Sequence, residues 1–278
     1  MPGILYVVAT PIGNLEDVTL RALRILREVS IIAAEDTRRT GRLLQHYSIS
    51  TPTTSLHEHN ERQKAASLIA RLQKGESVAL VSDAGTPLVS DPGQSLVAAA
   101  RATGIRVESV PGPSAVMAAL ASAGLPGVEF TFVGFPPSKS KARKEWLARI
   151  AREPRLVVFF EAPHRIRATL EGLRDVIGPT RPLVVGRELT KVHEELVERP
   201  IDELLRHFQE PKGEFTVLLP PAETQSQAVE RPSVAELRLE IGRLTNIDQL
   251  SRRDALRLVG AKYGISPNEL YAILTKGP

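Results

Sequence analysis

The sequence predicts an α/β protein: a mainly parallel sheet domain, a second domain of mixed sheet, and a small helical tail. Three observations carry this. Short apolar runs repeatedly end in small, acidic and turn-forming residues, as where Val78 to Val81 runs into Ser82-Asp83-Ala84-Gly85-Thr86-Pro87. Strand-like and helix-like patterns alternate through the N-terminal part, the signature of a parallel sheet with crossover helices. The balance then tips toward strands, until a polar, proline-bearing stretch leads into a helical tail.

Ile4 to Ala9 is short and almost wholly apolar, as a buried parallel strand is. Leu15 to Val29 follows with Leu20, Leu23 and Leu26 at helical spacing, and Asp17 and Thr19 suit its start. Ser30 to Ala34 is a second strand, closing in Glu35-Asp36-Thr37-Arg38. A helix over Glu61 to Leu72, a strand over Val78 to Val81, a helix over Gly93 to Arg101, a strand over Arg106 to Val110 and a small-residue helix over Ser114 to Ser122 come next. Asp91-Pro92-Gly93 can bind the same ligand as Asp83 or cap the helix it precedes, and the cap is the favoured reading.

After Gly124-Leu125-Pro126-Gly127 the texture changes. Phe130 to Val133, Leu156 to Phe160, Pro182 to Gly186, Val192 to Val197 and Phe215 to Leu219 are strand candidates, with helices near 141–151, 164–176 and 201–208. More strands than helices requires antiparallel pairing. Pro220 to Pro232 is a polar linker. Beyond it, Ser251 to Asp254 and Ser266 to Glu269 match capping-box starts around a turn at Gly264, which fits either a helix-turn-helix or a small helical cap. The chain therefore divides into an N-terminal α/β domain (1–112), a mixed α/β domain (113–221), a linker (222–232) and a small helical domain (233–278).

The 278 residues suffice for such an arrangement, and 42% hydrophobic residues fit a globular protein. Aromatics at 4% argue against a surface of base-stacking rings, and the lack of cysteine excludes disulfides, thiolate metal sites and a Cys nucleophile. No apolar stretch approaches the ~20 residues that span a bilayer, and the N-terminus enters a strand directly, so a cytoplasmic protein without a membrane partner is expected. The net charge of +4 is modest, but its distribution is uneven. Residues 138–155 hold seven basic side chains against two acidic, and residues 231–278 eight against five. A solvated helix face would explain the first cluster by itself; two basic segments beside a small-molecule site favour a polyanionic partner.

The strand edges are where chemistry is expected, because ligands of open α/β sheets sit beyond the carboxyl ends of the strands. Besides Ser82 to Pro87 there are Ala9 to Asn14, Val110 to Ala115 and Phe160 to Arg165. The first edge is neither a dinucleotide fingerprint nor a P-loop, and Pro11 removes a donor that a pyrophosphate would use. Asp83 can take an amine or a ribose hydroxyl, and small Ser114 and Ala115 allow a flat ring to lie on backbone. His57-Glu58-His59 lacks a third ligand, so no metal is expected.

Together these blocks resemble the tetrapyrrole methylase-like superfamily of S-adenosylmethionine (SAM) methyltransferases, and within it the RsmI family, which methylates a cytidine ribose 2′-hydroxyl in the decoding region of 16S ribosomal RNA. The resemblance rests on Leu5 to Asp17, Ala34 to Arg38, Ser82 to Pro87 with Ser90 to Gly93, Pro111 to Ala115, Gly134 to Pro137, Phe160 to Arg165, Arg187 to Lys191 and Lys212 to Phe215, in order along residues 4 to 219. It implies two α/β domains with SAM in the cleft between them, and a homodimer. By position it implies SAM contacts from Pro11, Asp83, Gly85, Val89, Ser114, Ala115, Phe135, Glu161 and Thr190, with Gly213 and Thr216 nearby.

A ribose hydroxyl is a weak nucleophile, so a positioned base would help. Glu35 and Asp36 are the favoured hydroxyl-orienting groups among candidates that include His57, His59, Glu161, His164, Glu188 and Lys191; a helix cap is the competing role for Asp36. Arg38, Lys139, Lys141, Arg143, Lys144, Arg165 and Arg187 are candidates for holding RNA phosphate, with structural ion pairs as the alternative for Arg165 and Arg187. The expected partner is 16S rRNA or the small ribosomal subunit. Two other readings stay open: a methyltransferase of the same fold acting on a tetrapyrrole or other small acceptor, and a non-catalytic RNA-binding assembly factor.

Overall fold

The computed structural model describes residues 2–125, 129–221, 234–246, 250–263 and 266–275. The linker 222–232 and the turns at Pro126-Gly127 and Gly264 lie outside the described residues. The chain forms two compact units, residues 1–221 and 222–278.

The first unit contains two five-stranded sheets among the described residues. β1 (Leu5–Val8), β2 (Ile31–Ala34), β3 (Thr53–Ser55), β4 (Val78–Val81) and β5 (Val107–Val110) are all parallel, in the order β3-β2-β4-β1-β5. β2 and β4 are buried at every residue, which is why they read as unbroken apolar runs. One face packs on α1 (Leu20–Glu28) and α2 (Thr37–His46) through Leu23, Leu26, Leu43 and Leu44. The other packs on α3 (Glu61–Gln73) and α4 (Gln94–Ala102) through Leu68, Leu72, Leu96 and Ala100. The helices after the neighbouring strands β1 and β4 thus lie on opposite faces, which opens a crevice at the carboxyl edge between those strands.

The second sheet runs β6-β7-β10-β8-β9, with β6 (Phe130–Phe132), β7 (Leu156–Glu161), β8 (Pro182–Arg187), β9 (Glu195–Pro200) and β10 (Phe215–Leu219). Only β6 and β7 pair in parallel; the other ladders are antiparallel, as the excess of strands over helices requires. One face is covered by α6 (Ser140–Ile150), α7 (Pro163–Ile177) and α8 (Ile201–His207), around Trp146, Phe159, Leu170 and Phe215. The other packs on α5 (Ala115–Ala123), and Ile12 from the first edge joins that core with Val116, Ala119, Val158 and Leu218. The second unit has α9 (Val234–Asn246), α10 (Arg252–Tyr263) and α11 (Pro267–Thr275) around Leu237, Ala255, Val259 and Leu270. Ser251 and Ser266 cap α10 and α11, each accepting a backbone N–H three residues on, at 3.2 Å.

Several elements differ from the sequence expectation. Leu15 to Val29 is two pieces: Asn14 caps a single 3-10 turn over Leu15–Asp17, and Thr19 caps α1 separately, with Val18 extended between them. α2 and β3 have no counterpart in the expected elements. β9 is displaced from 192–197 to 195–200, and Val192 stands 97% exposed in the loop before it. Asp91 does not cap α4; Gly93 takes the cap position at φ +118°, and no side chain caps it.

Candidate functional site

The carboxyl edge of the parallel sheet meets the second sheet at a cavity of about 520 Å³. That is within the ordinary range for a small-molecule site. The crevice floor is built from backbone: Thr10 and Gly85 exchange both N–H···O bonds at 2.9 Å, joining the loops after β1 and β4. Gly85 sits at φ +77°, and a Cβ there would lie 3.4 Å from Ile12. Ser114 caps α5 by accepting the Met117 N–H, which leaves a helix start of small residues facing the cavity.

One wall is acidic. Glu35 at the end of β2, Asp83 at the end of β4 and Asp91 all line it, with Arg39 of α2. Asp83 Oδ1 accepts the Asp36 N–H at 2.9 Å, Glu35 Oε2 accepts the Asp83 N–H at 3.4 Å, and Arg39 pairs with Asp83 at 3.4 Å. Burial raises the Glu35 pKa against the Asp83 N–H, and the Asp83 charge raises it further. Burial likewise pushes Asp91 up to about 6, with Glu35 and Asp83 adding to the rise and the Ser82 hydroxyl opposing it.

The opposite wall is aromatic. Phe135 and Phe160 line it with ring centroids 5.5 Å apart, and Phe160 packs edge-on against Phe132 at 4.9 Å. Glu161 lies beneath them, fully buried at its side chain. It accepts the Ala162 N–H at 2.9 Å and the Thr169 hydroxyl, and it faces Arg165 at 3.5 Å and Arg143 at 3.7 Å. Burial lowers the Arg143 pKa, and the Glu161 charge opposes this.

Two border loops hold left-handed backbone at residues other than glycine: Leu88 and Ser90 in one, Glu188 and Thr190 in the other. Such residues are uncommon and cluster at ligand sites. The second loop is a clasp on the first edge. Asn14 N donates to Thr190 Oγ1 at 3.2 Å, and the Lys191 stem lies over Gly13, where a Cβ would come within 2.3 Å of it. Lys191 Nζ pairs with Glu188 at 2.8 Å and Glu214 at 3.0 Å. Burial would lower the Lys191 pKa, but these carboxylates raise it overall, so the ammonium is held charged and is a poor base.

Of the residues singled out for SAM, Asp83, Gly85, Val89, Ser114, Ala115, Phe135, Glu161 and Thr216 line the one cavity. Pro11, Thr190 and Gly213 are not among its lining residues. Pro11 is buried beside Thr10, Thr190 belongs to the clasp, and Gly213 at φ +89° lies against the Glu188 side chain. Glu35 and Asp36 are separated in role. Glu35 faces the cavity, while Asp36 caps α2 and grips Arg38 at 2.9 Å. The Arg38 side chain and its N–H pull Asp36 down to about 2.

The basic set also divides. Lys139, Lys141 and Lys144 are exposed on and beside α6, whereas Arg143 and Arg165 turn inward to Glu161. For Arg165 this is the structural ion pair that stood as the alternative to phosphate binding, while Arg143 leaves the outward stripe: a buried carboxylate must be paired, and these two guanidiniums pair it. Arg187 donates to Lys212 O at 2.7 Å and pairs with Glu195 at 3.4 Å. Arg38 is 88% exposed at its side chain but already pairs with Asp36. His57 and His59 lie edge-on with ring centroids 6.0 Å apart, and among the described residues no group of three His, Cys, Asp or Glu could hold a metal. Arg39, Phe160 and Lys191 are cavity and clasp residues that the sequence did not assign these parts, and Asp91 takes the ligand-side role that the sequence ranked below a cap. Arg39 was legible from the Asp36 cap, since Thr40, Leu43 and Leu44 follow at helical spacing and place Arg39 one turn into a helix that starts at the edge.

Comparison with known proteins fits this geometry. Residues 4–205 match the family model of tetrapyrrole (corrin/porphyrin) methylases. Proteins named ribosomal RNA small subunit methyltransferase I are similar along nearly the whole chain. The one from Escherichia coli O157:H7 is 44% identical over 97% of this chain and 93% of its own length. Those from Pseudomonas aeruginosa and Synechocystis sp. are 46% and 45% identical over 97% and 98% of this chain, and 95% and 97% of their own. Among solved structures, the methyltransferase CobJ superposes with a TM-score of 0.63 at 22% identity, over 79% of this chain and 95% of that one. A uroporphyrin-III C-methyltransferase from Thermus thermophilus complexed with S-adenosyl homocysteine superposes at 0.56 and 21%, over 78% and 96%. At such identities these structures speak for the fold.

Proposed function

The chain belongs to the tetrapyrrole (corrin/porphyrin) methylase family and, within it, to the ribosomal RNA small subunit methyltransferase I group, and from that premise we propose that it transfers a methyl group from SAM to the ribose 2′-hydroxyl of a cytidine in the decoding region of 16S rRNA. The observation that carries this is the similarity at 44–46% identity over almost the full chain to relatives of that name. It favours RNA over a small acceptor, because the solved uroporphyrin-III C-methyltransferases resemble the chain only at the level of fold.

The residues present fit SAM. The cavity has an aromatic wall and small helix-start residues for a flat base, and carboxylates for hydroxyl and amino groups. Asp83, Gly85, Val89, Ser114, Ala115, Phe135, Glu161 and Thr216 would hold it, with Pro11, Thr190 and Gly213 shaping the loops behind. When bound, SAM supplies an electrophilic methyl on a sulfonium. The chain's part is to align the acceptor oxygen and receive its proton, and alignment supplies much of the acceleration. Glu35 suits proton receipt, since it faces the cavity with a raised pKa. Asp36 suits it less, with both oxygens engaged and a pKa of about 2. Lys139, Lys141 and Lys144 would meet RNA phosphates, with the helical tail adding further grip.

We treat 1–112 and 113–221 as the two cofactor-flanking domains and expect a homodimer. α5 supports the latter, being built only of apolar and small residues yet leaving Met117 56% exposed. No helix among the described residues is long and apolar enough to cross a membrane. From the proposed acceptor we infer a cytoplasmic enzyme. The test is tritium transfer from labelled SAM to small ribosomal subunits lacking their own methylation, with nucleoside analysis after digestion. Label in 2′-O-methylcytidine is expected. No label with SAM binding intact would redirect the assignment to small acceptors.

A further inference from the structure

We propose that Arg165 is a positioning residue for the cofactor site: anchored on Glu161, it holds the Phe135-Pro136-Pro137 segment so that the Phe135 ring closes the cavity. The inference rests on the reading that SAM occupies that cavity.

The segment has an unusual holding problem. Pro136 and Pro137 have no N–H, so only their carbonyls can be tied down, and a carbonyl needs a donor. Arg165 supplies it. One terminal nitrogen donates to Pro136 O and, at 3.1 Å, to Pro137 O, while Nε faces Glu161 Oε1 at 3.5 Å. The guanidinium fork is suited to bridging one carboxylate and two carbonyls in fixed geometry, which an ammonium is not.

The anchor is firm. Glu161 is fully buried at its side chain, ends β7, and is also held by the Ala162 N–H and the Thr169 hydroxyl. The other end of the segment is tied by Phe160 N donating to Gly134 O at 3.0 Å. Gly134 turns there at φ +67°, and a Cβ would lie 3.2 Å from Ser90 Oγ on the opposite rim. Between these ties only the Phe135 side chain projects to the cavity, half-exposed and tilted against Phe160. Arg143 faces the same Glu161 but also engages Thr169, so the carboxylate keeps a partner when Arg165 is changed.

The experiment compares wild type, Arg165→Met, Arg165→Lys, Phe135→Ala and the Arg165→Met/Phe135→Ala double variant. SAM affinity is measured by calorimetry, and hydrogen exchange of the peptide covering 133–140 is measured without SAM. Loss of an aromatic contact or of charge-assisted hydrogen bonds each predicts roughly tenfold weaker SAM binding. Arg165→Met and Phe135→Ala should each show it, and the double variant should be no weaker than the worse single one. Arg165→Met should speed exchange at 133–140, Arg165→Lys should fail to restore SAM affinity, and RNA affinity should be unchanged. Weaker SAM binding in Phe135→Ala with wild-type binding and exchange in Arg165→Met overturns the inference and leaves the cofactor assignment standing. So do additive losses in the double variant. Absence of SAM binding to the wild type overturns both.

Discussion

Asp83 reaches from the end of β4 to accept the backbone N–H of Asp36 at 2.9 Å, so a cavity carboxylate also ties together the ends of two adjacent strands. The same side chain pairs with Arg39, and its own N–H is held by Glu35. One substitution therefore disturbs the acidic wall on several sides. Asp83→Ala leaves the half-buried Asp36 N–H without its partner, a cost of about 1 kcal/mol, and removes a ligand group, so SAM affinity should fall by more than ~10-fold. Asp83→Asn keeps an acceptor for Asp36 but not the charge, and should fall between. Calorimetry on variants of native circular dichroism decides; near-normal SAM binding in Asp83→Ala would refute the placement of SAM at this wall.

The clasp makes a different demand. Gly213 lies at φ +89°, and a Cβ would come 2.4 Å from Glu188 Cγ. Glu188 cannot yield freely, because its Oε1 accepts the Glu214 N–H at 2.9 Å and pairs with Lys191. Gly213→Ala should lower stability by about 1–3 kcal/mol, read as a shift in the urea midpoint. An unchanged midpoint would mean the loop relaxes at no cost.

These contacts show what the sequence could and could not disclose. The buried strands were legible because a strand covered on both faces is apolar throughout, as Val78 to Val81 is. α2 opens on Thr-Arg-Arg-Thr-Gly, residues of mixed helix preference that mask it, and its only sequence signal is the Asp36 cap with Thr40, Leu43 and Leu44 at helical spacing. β3 is three residues long and only partly buried, too short for any period to register. Motif blocks located the cavity, yet motif position cannot tell which way an arginine turns. Arg143 sits in a basic run but folds onto Glu161, which is 18 residues further along. Partners of this kind become visible only when α6 and α7 are packed on the second sheet.

Asp91 offers a pH test with a defined sign. Its pKa is raised to about 6, by burial first and by Glu35 and Asp83, which face it, while the Ser82 hydroxyl opposes. A carboxyl raised on folding favours the folded state below its ordinary pKa of 3.8, and that contribution is lost as pH rises through about 6. Asp91→Asn stays neutral throughout. Its stability relative to wild type should therefore climb between those values and level off above them. Because the side chain is only half-buried, solvent screening reduces the gain to the order of 1 kcal/mol. Urea titrations at several pH values measure the difference; a flat difference would remove the desolvated carboxyl from the wall.

The helical tail has its own core around Leu237, Val259 and Leu270, so it can be removed as a unit. Deleting residues 231–278 should weaken binding to small-subunit RNA while leaving SAM affinity as it is. Filter binding and calorimetry on the truncated chain give the two numbers. Unchanged RNA affinity would make the tail a structural cap.

Lys139, Lys141 and Lys144 separate the surface stripe from the inward arginines beside it. All three are exposed, and no described carboxylate forms an ion pair with them. If they meet RNA phosphates, each releases about 0.7 counterion on a single strand, so replacing all three by Gln should flatten the plot of log affinity against log salt by about 2. The loss should be largest at low salt and shrink as salt rises, since it is a counterion effect. SAM affinity should not change, because none of the three lines the cavity. Binding titrations across a salt series test this, and an unaltered slope would show that the stripe on α6 is solvated rather than bound.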